Sequence, residues 1–198
     1  RQLWVGATGA GPYPINLDTK EIYRCPSTAN GFEYRPLSNI LHNSWINCLL
    51  CSTNDKLYIG TYDGLGCLDI PTMDFVSTYE INRLLQGDVI YALYEDLHHN
   101  IWVGTSQGLK QLNPQTQKVR EYTISDGLPS NSISAIEGDA NGNLWISTNF
   151  GISRFNPGTQ TFVNFYASDG LQGNEFSKGV SFASTQGEII FGSTSGIT

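Results

Sequence analysis

The chain of 198 residues is 39% hydrophobic, 12% aromatic and 15% charged, with 21 Gly and a formal charge of −7. Such a make-up belongs to a folded, turn-rich β protein long enough to bury a sizeable core. The acidic balance and singly scattered Lys and Arg exclude a phosphate-neutralising, nucleic-acid-binding surface, and no signal peptide or apolar run of the ~18–20 residues that cross a bilayer is present.

The first stretch, QLWVGATGAGPYPINL at 2–17, returns in altered form along the whole chain. It comes back as KLYIGTYDGLGCLDIP at 56–71, NIWVGTSQGLKQLNP at 100–114, NLWISTNFGISRFNP at 143–157 and EIIFGSTSGIT at 188–198. The aligned strand residues are Trp4, Tyr58, Trp102, Trp145 and Ile190. Their spacing, in the range of about 40–50 residues, is that of a propeller or solenoid. Two residues on stands a small residue (Gly6, Gly60, Gly104, Ser147, Gly192), expected where a neighbouring strand approaches closely. A second Gly (Gly64, Gly108, Gly151, Gly196) marks a tight turn. An apolar strand follows and is closed by Pro71, Pro114 or Pro157.

Each full copy reads as four short strands. In the fourth these are 132–137, 143–148, 152–156 and 161–166, and in the third 89–95, 100–105, 109–113 and 118–123. The hairpin loop 139–143, DANGN, carries the Gly that such turns favour. Four-stranded antiparallel sheets at this period are β-propeller blades, a better match than the shorter coils of a β-solenoid. The predicted class is therefore all-β, a β-propeller segment of about four and a half repeats. The repeats run approximately 1–43, 44–87, 88–130, 131–173 and 174–198, the last partial. The first lacks its innermost strand and the last its outermost. The chain opens mid-strand at Arg1, without Met, so a larger propeller is expected. Open blade faces are expected to drive self-association. The first interval is the longest because of an elaborated loop at 22–39, and elaborated loops are where function concentrates.

Residues repeated in every copy are expected to hold the blade; residues that differ between copies are freer to bind. By that filter Asp126 and Asp169, both in SDGL, read as turn formers rather than an acid–base pair. Trp102 and Trp145 read as core aromatics. His98 and His99 form an exposed turn lacking a third metal ligand, and His42 stands alone. No catalytic triad or phosphate-binding Gly loop is present, and GATGAG at 6–11 opens no helix. Cys48 and Cys51 have CxxC spacing, but they lie on opposite faces of a strand, and no second pair completes a metal set. Structural free thiols are favoured for Cys25, Cys48, Cys51 and Cys67, with their disulfide status left open. No metal or cofactor is expected.

Ligand candidates come from the variable loops: Trp45, Tyr62, Asp63, Gln107, Asn131, Asn149, Phe150, Asn174 and Glu175. Neighbouring loop residues are Asn43, Ser44, Ser106, Ser130, Gly173 and the stretch 86–88. The loops between second and third strands and those entering the innermost strands are expected on one face near the axis. Amides, acids and exposed aromatics there suit sugar hydroxyls and C–H faces.

The unit at 139–159, followed by Phe162, Phe165 and SDGLQGN at 168–174, resembles the two-component regulator propeller repeat, and the resemblance covers the whole chain. It implies a periplasmic sensor region of a hybrid two-component histidine kinase from a glycan-utilising bacterium, anchored through segments outside this chain. It further implies an oligosaccharide ligand from glycan breakdown and no enzymatic activity in the propeller itself. It carries over no ligand motif. The alternative is a propeller lyase or glycoside hydrolase using axial Asp and Glu, Asp63 and Glu175 among them. Against it, the sialidase-type Asp turn would need a carboxylate at Ala140, and Asp139 lies one residue early.

Overall fold

The computed structural model describes residues 2–7, 11–20, 45–76, 85 and 87–198. Cys25, His42, Asn43, Ser44, Gln86 and the whole loop at 22–39 lie outside the described residues. The chain divides into two compact units, 1–90 and 91–198.

In the first unit, β1 (Gln2–Ala7) pairs antiparallel with β2 (Gly11–Asn16). A three-stranded sheet follows, of β3 (Ile46–Cys51), β4 (Lys56–Thr61) and β5 (Gly64–Asp69). An isolated bridge from Leu68 to Phe75 stands where the two four-stranded sheets place their fourth strand. The core of this unit is Leu57, Ile59 and Leu68, with Trp4, Ile46, Leu49 and Phe75 packed on it.

The strand β6 (Ile90–Glu95) starts on the last residue of the first unit and continues into the second. With β7 (Ile101–Thr105), β8 (Leu109–Asn113) and β9 (Lys118–Tyr122) it forms a four-stranded sheet in sequential order. A second such sheet comprises β10 (Ile133–Gly138), β11 (Leu144–Thr148), β12 (Ile152–Asn156) and β13 (Thr161–Phe165). The last sheet has three strands, β14 (Phe176–Ala183), β15 (Ile189–Ser193) and β16 (Gly196–Ile197). Strands of the third and fourth repeats fall within one residue of the sequence reading, because the turn residues that end them recur at fixed offsets. These are β-propeller blades.

The two four-stranded sheets pack through one large apolar cluster containing Ala92, Trp102, Leu109, Ile133, Ile146 and Phe155, and the last sheet packs on the second of them through Ala135, Ile152, Phe176 and Phe191. The small residue of the motif sits at the closest approach. A Cβ on Gly104 would lie 2.6 Å from Ile133 Cγ2, the opening residue of the following sheet's inner strand. Any side chain here pushes that sheet away. Two inner strands, β3 and β10, bulge just after their opening residue, between Ile46 and Cys48 and between Ile133 and Ala135. The bulged side chain donates to the carbonyl of the next inner strand's first residue: Asn47 Nδ2 to Ile90 O at 2.9 Å, Ser134 Oγ to Phe176 O at 3.0 Å.

Among the described residues no helix is long and apolar enough to cross a membrane.

Candidate functional site

The loops carrying the candidate residues are pinned from below by one repeated device. Thr61, Thr105 and Thr148 each donate through Oγ1 to the Gly carbonyl three residues on, at 2.9 Å. The same hydroxyl accepts from the amide two residues on: Asp63 at 3.1 Å, Gln107 at 2.9 Å and Phe150 at 2.9 Å. The turn then needs a left-handed residue, supplied at Gly151 with φ 95°, and a Cβ there would sit 2.6 Å from Phe165 O. The two residues between Thr and Gly vary in type while their backbone is fixed, so each turn is a rigid mount for a changeable pair of side chains.

In the first unit the two loop sets meet. Tyr62 N donates to Trp45 O at 3.3 Å, and the two rings stand edge to face, 5.6 Å apart at 87°. Both are open to solvent, Trp45 at 54% and Tyr62 at 44% exposure. Asp63 Oδ1 accepts from Gly87 N at 2.8 Å, tying this turn to the loop that enters β6.

In the second unit Asn149 N donates to Ser132 O, and Ser130 Oγ donates to Asn149 Oδ1 at 2.5 Å. Gly151 N donates to Asn174 O at 2.6 Å. Phe150, 54% exposed, packs its ring 5.7 Å from Tyr166. Asn131, Asn149, Phe150 and Asn174 are thus drawn into one loop cluster. Gln107 is exposed on its own turn, and Glu175 is exposed beside Asn174.

Asn131 and Asn174 are also structural anchors. Asn131 Oδ1 accepts from Ile124 N at 2.9 Å and Asn174 Oδ1 from Ala167 N at 2.7 Å, each capping the short 3₁₀ turn of an SDGL segment. Both belong to a repeated S-D-G-L-x-x-N, so the repetition filter, applied strictly, marks them as blade builders. In the same turns Asp126 Oδ2 accepts from Thr123 N and Asp169 Oδ2 from Tyr166 N, the capping role expected of them.

Two side chains were missed in the sequence. Tyr166 stands where the preceding repeat has Thr123, a variable position the same filter detects. Lys178 arises from extra residues in the bulge of β14, whose register shifts between Phe176 and Ser181. Its Nζ donates to Ser132 Oγ at 2.6 Å and Ile133 O at 3.0 Å, and lies 4.1 Å from the centre of the Tyr91 ring. Partial burial lowers its pKa.

The remaining carboxylate, Asp139, is a latch. Oδ1 accepts from Asn141 N and Asn143 N, and Oδ2 from Asn143 Nδ2 and the Trp145 indole N–H. Burial raises its pKa, but these bonds outweigh burial and the net shift is downward. Asp96 holds Asn100 and Trp102 in the same way. Cys48, Cys51 and Cys67 are free thiols; burial pushes Cys48 up to about 12 and Cys67 up to about 11, so neither forms a thiolate readily. Among the described residues no three His, Cys, Asp or Glu gather as a metal site.

The family described as two component regulator propeller matches residues 127–150, the segment joining the SDGL turn to the β11–β12 turn. With the blade architecture, this match makes the segment similar to a two component regulator propeller repeat. Among solved structures it is similar to an extracellular domain assigned to a hybrid two component system of B. thetaiotaomicron, with TM-score 0.81 and 26% identity, covering 99% of this chain and 26% of that one. A second B. thetaiotaomicron extracellular domain, assigned to a one component system, matches with TM-score 0.75 and 23% identity, over 99% of this chain and 25% of that one. Virginiamycin B lyase from Staphylococcus aureus shares the fold at TM-score 0.68 and 16% identity, over 100% of this chain and 65% of the lyase. The chain therefore spans about a quarter of the length of the two extracellular domains. No curated protein matches the sequence.

Proposed function

We propose that this propeller segment belongs to the periplasmic, ligand-sensing region of a hybrid two component sensor kinase, and that the ligand is an oligosaccharide released by glycan breakdown. The observation that carries the sensor reading is the likeness to the B. thetaiotaomicron hybrid two component extracellular domain over 99% of the chain. Support for a sugar comes from the exposed Trp45–Tyr62 pair beside Asp63, on a turn whose backbone is already fixed. Aromatic faces cover sugar C–H groups, while a carboxylate or amide accepts hydroxyl protons. Phe150 and Asn149 offer the same chemistry in the second unit. The segment's own role is binding without turnover: both oxygens of Asp139 and one each of Asp126 and Asp169 are engaged in local turns, and the likeness to the lyase carries the fold alone.

Isothermal titration of the intact extracellular region against a panel of oligosaccharides tests this reading. Saturable binding is expected, weakened by roughly 10- to 100-fold in Trp45→Ala or Tyr62→Ala, the loss typical of an aromatic anchor. Strong binding of an unrelated ligand with no response to any sugar overturns the oligosaccharide assignment.

A further inference from the structure

Lys178 is a cation without a counterion in a chain where 18 Asp and Glu outnumber 11 Lys and Arg. Among the described residues its ammonium meets no carboxylate; it donates to Ser132 Oγ and Ile133 O and lies over the Tyr91 ring. Lys178 itself is on β14, Ile133 opens β10 and Tyr91 is on β6, so the inner strands of three successive sheets converge on one charge.

Holding the carbonyl does not require that charge. Asn47 serves Ile90 O and Ser134 serves Phe176 O, each through a neutral amide or hydroxyl. At Ile133 O the donor is an ammonium, and withdrawing an ammonium from water costs free energy until an anion meets it. The cost shows in the lowered pKa of Lys178, which a carboxylate beside it would offset.

Two donors remain at this point. An ammonium carries three protons, of which one goes to Ser132 Oγ and one to Ile133 O. The Ser132 hydroxyl accepts from Nζ, and among the described residues its own proton has no acceptor. Nζ and Oγ stand 2.6 Å apart, so the two remaining protons can be given side by side to the two oxygens of one carboxylate.

The pair adjoins the loop cluster of the second unit. Ser132 O accepts from Asn149 N at 3.3 Å, and Ser132 N donates to Ser130 Oγ, which bonds Asn149 Oδ1. Next to Asn149 the exposed Phe150 ring rests against Tyr166. A cation, a hydroxyl, an amide and an aromatic face are thus joined through a single residue, Ser132.

We propose that Lys178 and Ser132 form a carboxylate subsite, and that the second unit takes an oligosaccharide containing a hexuronic acid, its carboxylate on these two residues and a C–H face on Phe150. The proposal rests on the oligosaccharide reading above and narrows it to acidic sugars. Lys178 is the specificity-determining residue, and it reads the charge of the sugar rather than its stereochemistry, so galacturonate and glucuronate are both admitted.

The test is isothermal titration of the intact extracellular region with trigalacturonate and triglucuronate, each beside its neutral methyl ester. At least one acid should bind roughly 10- to 100-fold more tightly than its ester, the usual worth of a charge-assisted hydrogen bond. That advantage should shrink as salt is raised. Lys178→Met keeps an unbranched apolar stem over Tyr91 and removes the charge; with an unchanged near-UV spectrum, it should lose the preference for acid over ester. In the unsubstituted protein the Lys178 Cε–Hε resonance should shift with the acid and not with the ester, a readout that needs no variant. If acid and ester bind alike, if the Lys178 resonance ignores the acid, or if Lys178→Met keeps the preference, the carboxylate subsite is overturned and the oligosaccharide reading stands. If no sugar of either kind binds, both are overturned.

Discussion

The two sheet pairs that share β10–β13 carry the same Trp, Thr and turn Gly, yet one encloses its tryptophan and the other leaves it half-buried. The repeated motif is common to both, so it cannot be what closes a blade interface. Closure follows from residues outside it, the rings that the third and fourth strands of the covering sheet bring in. Phe155 touches Trp102, Tyr122 and Phe162 at once, with centroid distances of 5.6, 4.9 and 4.3 Å. Its removal carries the largest expected loss. Phe155→Ala is expected to cost about 3–5 kcal/mol, and Phe165→Ala, whose ring lines a cavity of about 520 Å³ with Trp145, about 1–2 kcal/mol, because no sealed void is created there. Urea unfolding of the 198-residue chain followed by near-UV circular dichroism distinguishes them; equal losses would erase the contrast between the interfaces.

The latch under each tryptophan sharpens the same comparison. Asp96 holds the indole N–H of a fully buried ring at 2.8 Å, and Asp139 that of a half-buried ring at 3.1 Å. A buried donor stripped of its acceptor cannot turn to water, so Asp96→Ala should cost about 1–3 kcal/mol more than is lost with a solvated partner. Asp139→Ala should cost clearly less, since water can reach the indole of Trp145. Paired melting curves of the two variants check the order, and a larger loss for Asp139→Ala would contradict it.

Next in size is the position two residues after each tryptophan. At Gly104 the opposing side chain is Ile133, branched at Cβ, and a Cβ added at Gly104 would run into its Cγ2. At Ser147 the matching residue of the next inner strand is Phe176, unbranched at Cβ, which leaves room for a small side chain. The hydroxyl gains nothing from that room, for Ser147 Oγ is buried without a hydrogen-bond partner. Gly104→Ser should therefore destabilise by about 1–3 kcal/mol through overpacking, while Ser147→Ala should be neutral or mildly stabilising. A stabilised Gly104→Ser would show that the sheets approach less closely than these contacts require.

Much of this was legible in the sequence because propeller repeats are written by turn chemistry. The Thr, the left-handed Gly and the strand-closing Pro fix strand ends independently of tertiary context, and the strands of the third and fourth repeats fall where those residues put them. Side-chain partnership was less legible. Asn131 and Asn174 read as free amides, yet each caps a 3₁₀ turn seven residues upstream, a contact visible only once the loop is folded. Lys178 escaped notice because its contacts, Ser132 and Tyr91, lie in other blades, and no local pattern encodes a reach of that kind. The meeting of Trp45 with Tyr62 was foreseeable as a shared face, but its edge-to-face geometry was not.

The smallest expected effect concerns a substitution of charge for amide at one repeated position. In the second unit Asn113 bonds to Asn100 at 3.2 Å and Asn156 to Asn143 at 3.1 Å, joining the third strand to the second. In the first unit the matching residues are Asp69 and Lys56, an ion pair. The hydrogen bond from Lys56, with those from Thr72, holds the Asp69 carboxyl down to about 2. The same bond raises the pKa of Lys56. A depressed carboxylate contributes stability that is complete above its unfolded value of 3.8 and fades as pH falls through about 2. The lysine works in the opposite sense: its share is complete below 10.5 and is lost as pH rises through the raised value. Both groups are exposed enough for solvent to screen the pair, so the energetic effect is small and its signature is spectroscopic. The Thr72 amide, which donates to Asp69 Oδ2, should titrate with an apparent pKa of about 2. The Thr116 and Thr159 amides, bound to the neutral side chains of Asn113 and Asn156, should show no such step. Asp69→Asn should make all three alike, whereas an Asp69 titrating near 3.8 would mean that the charge pair adds nothing to the amide pair it replaces.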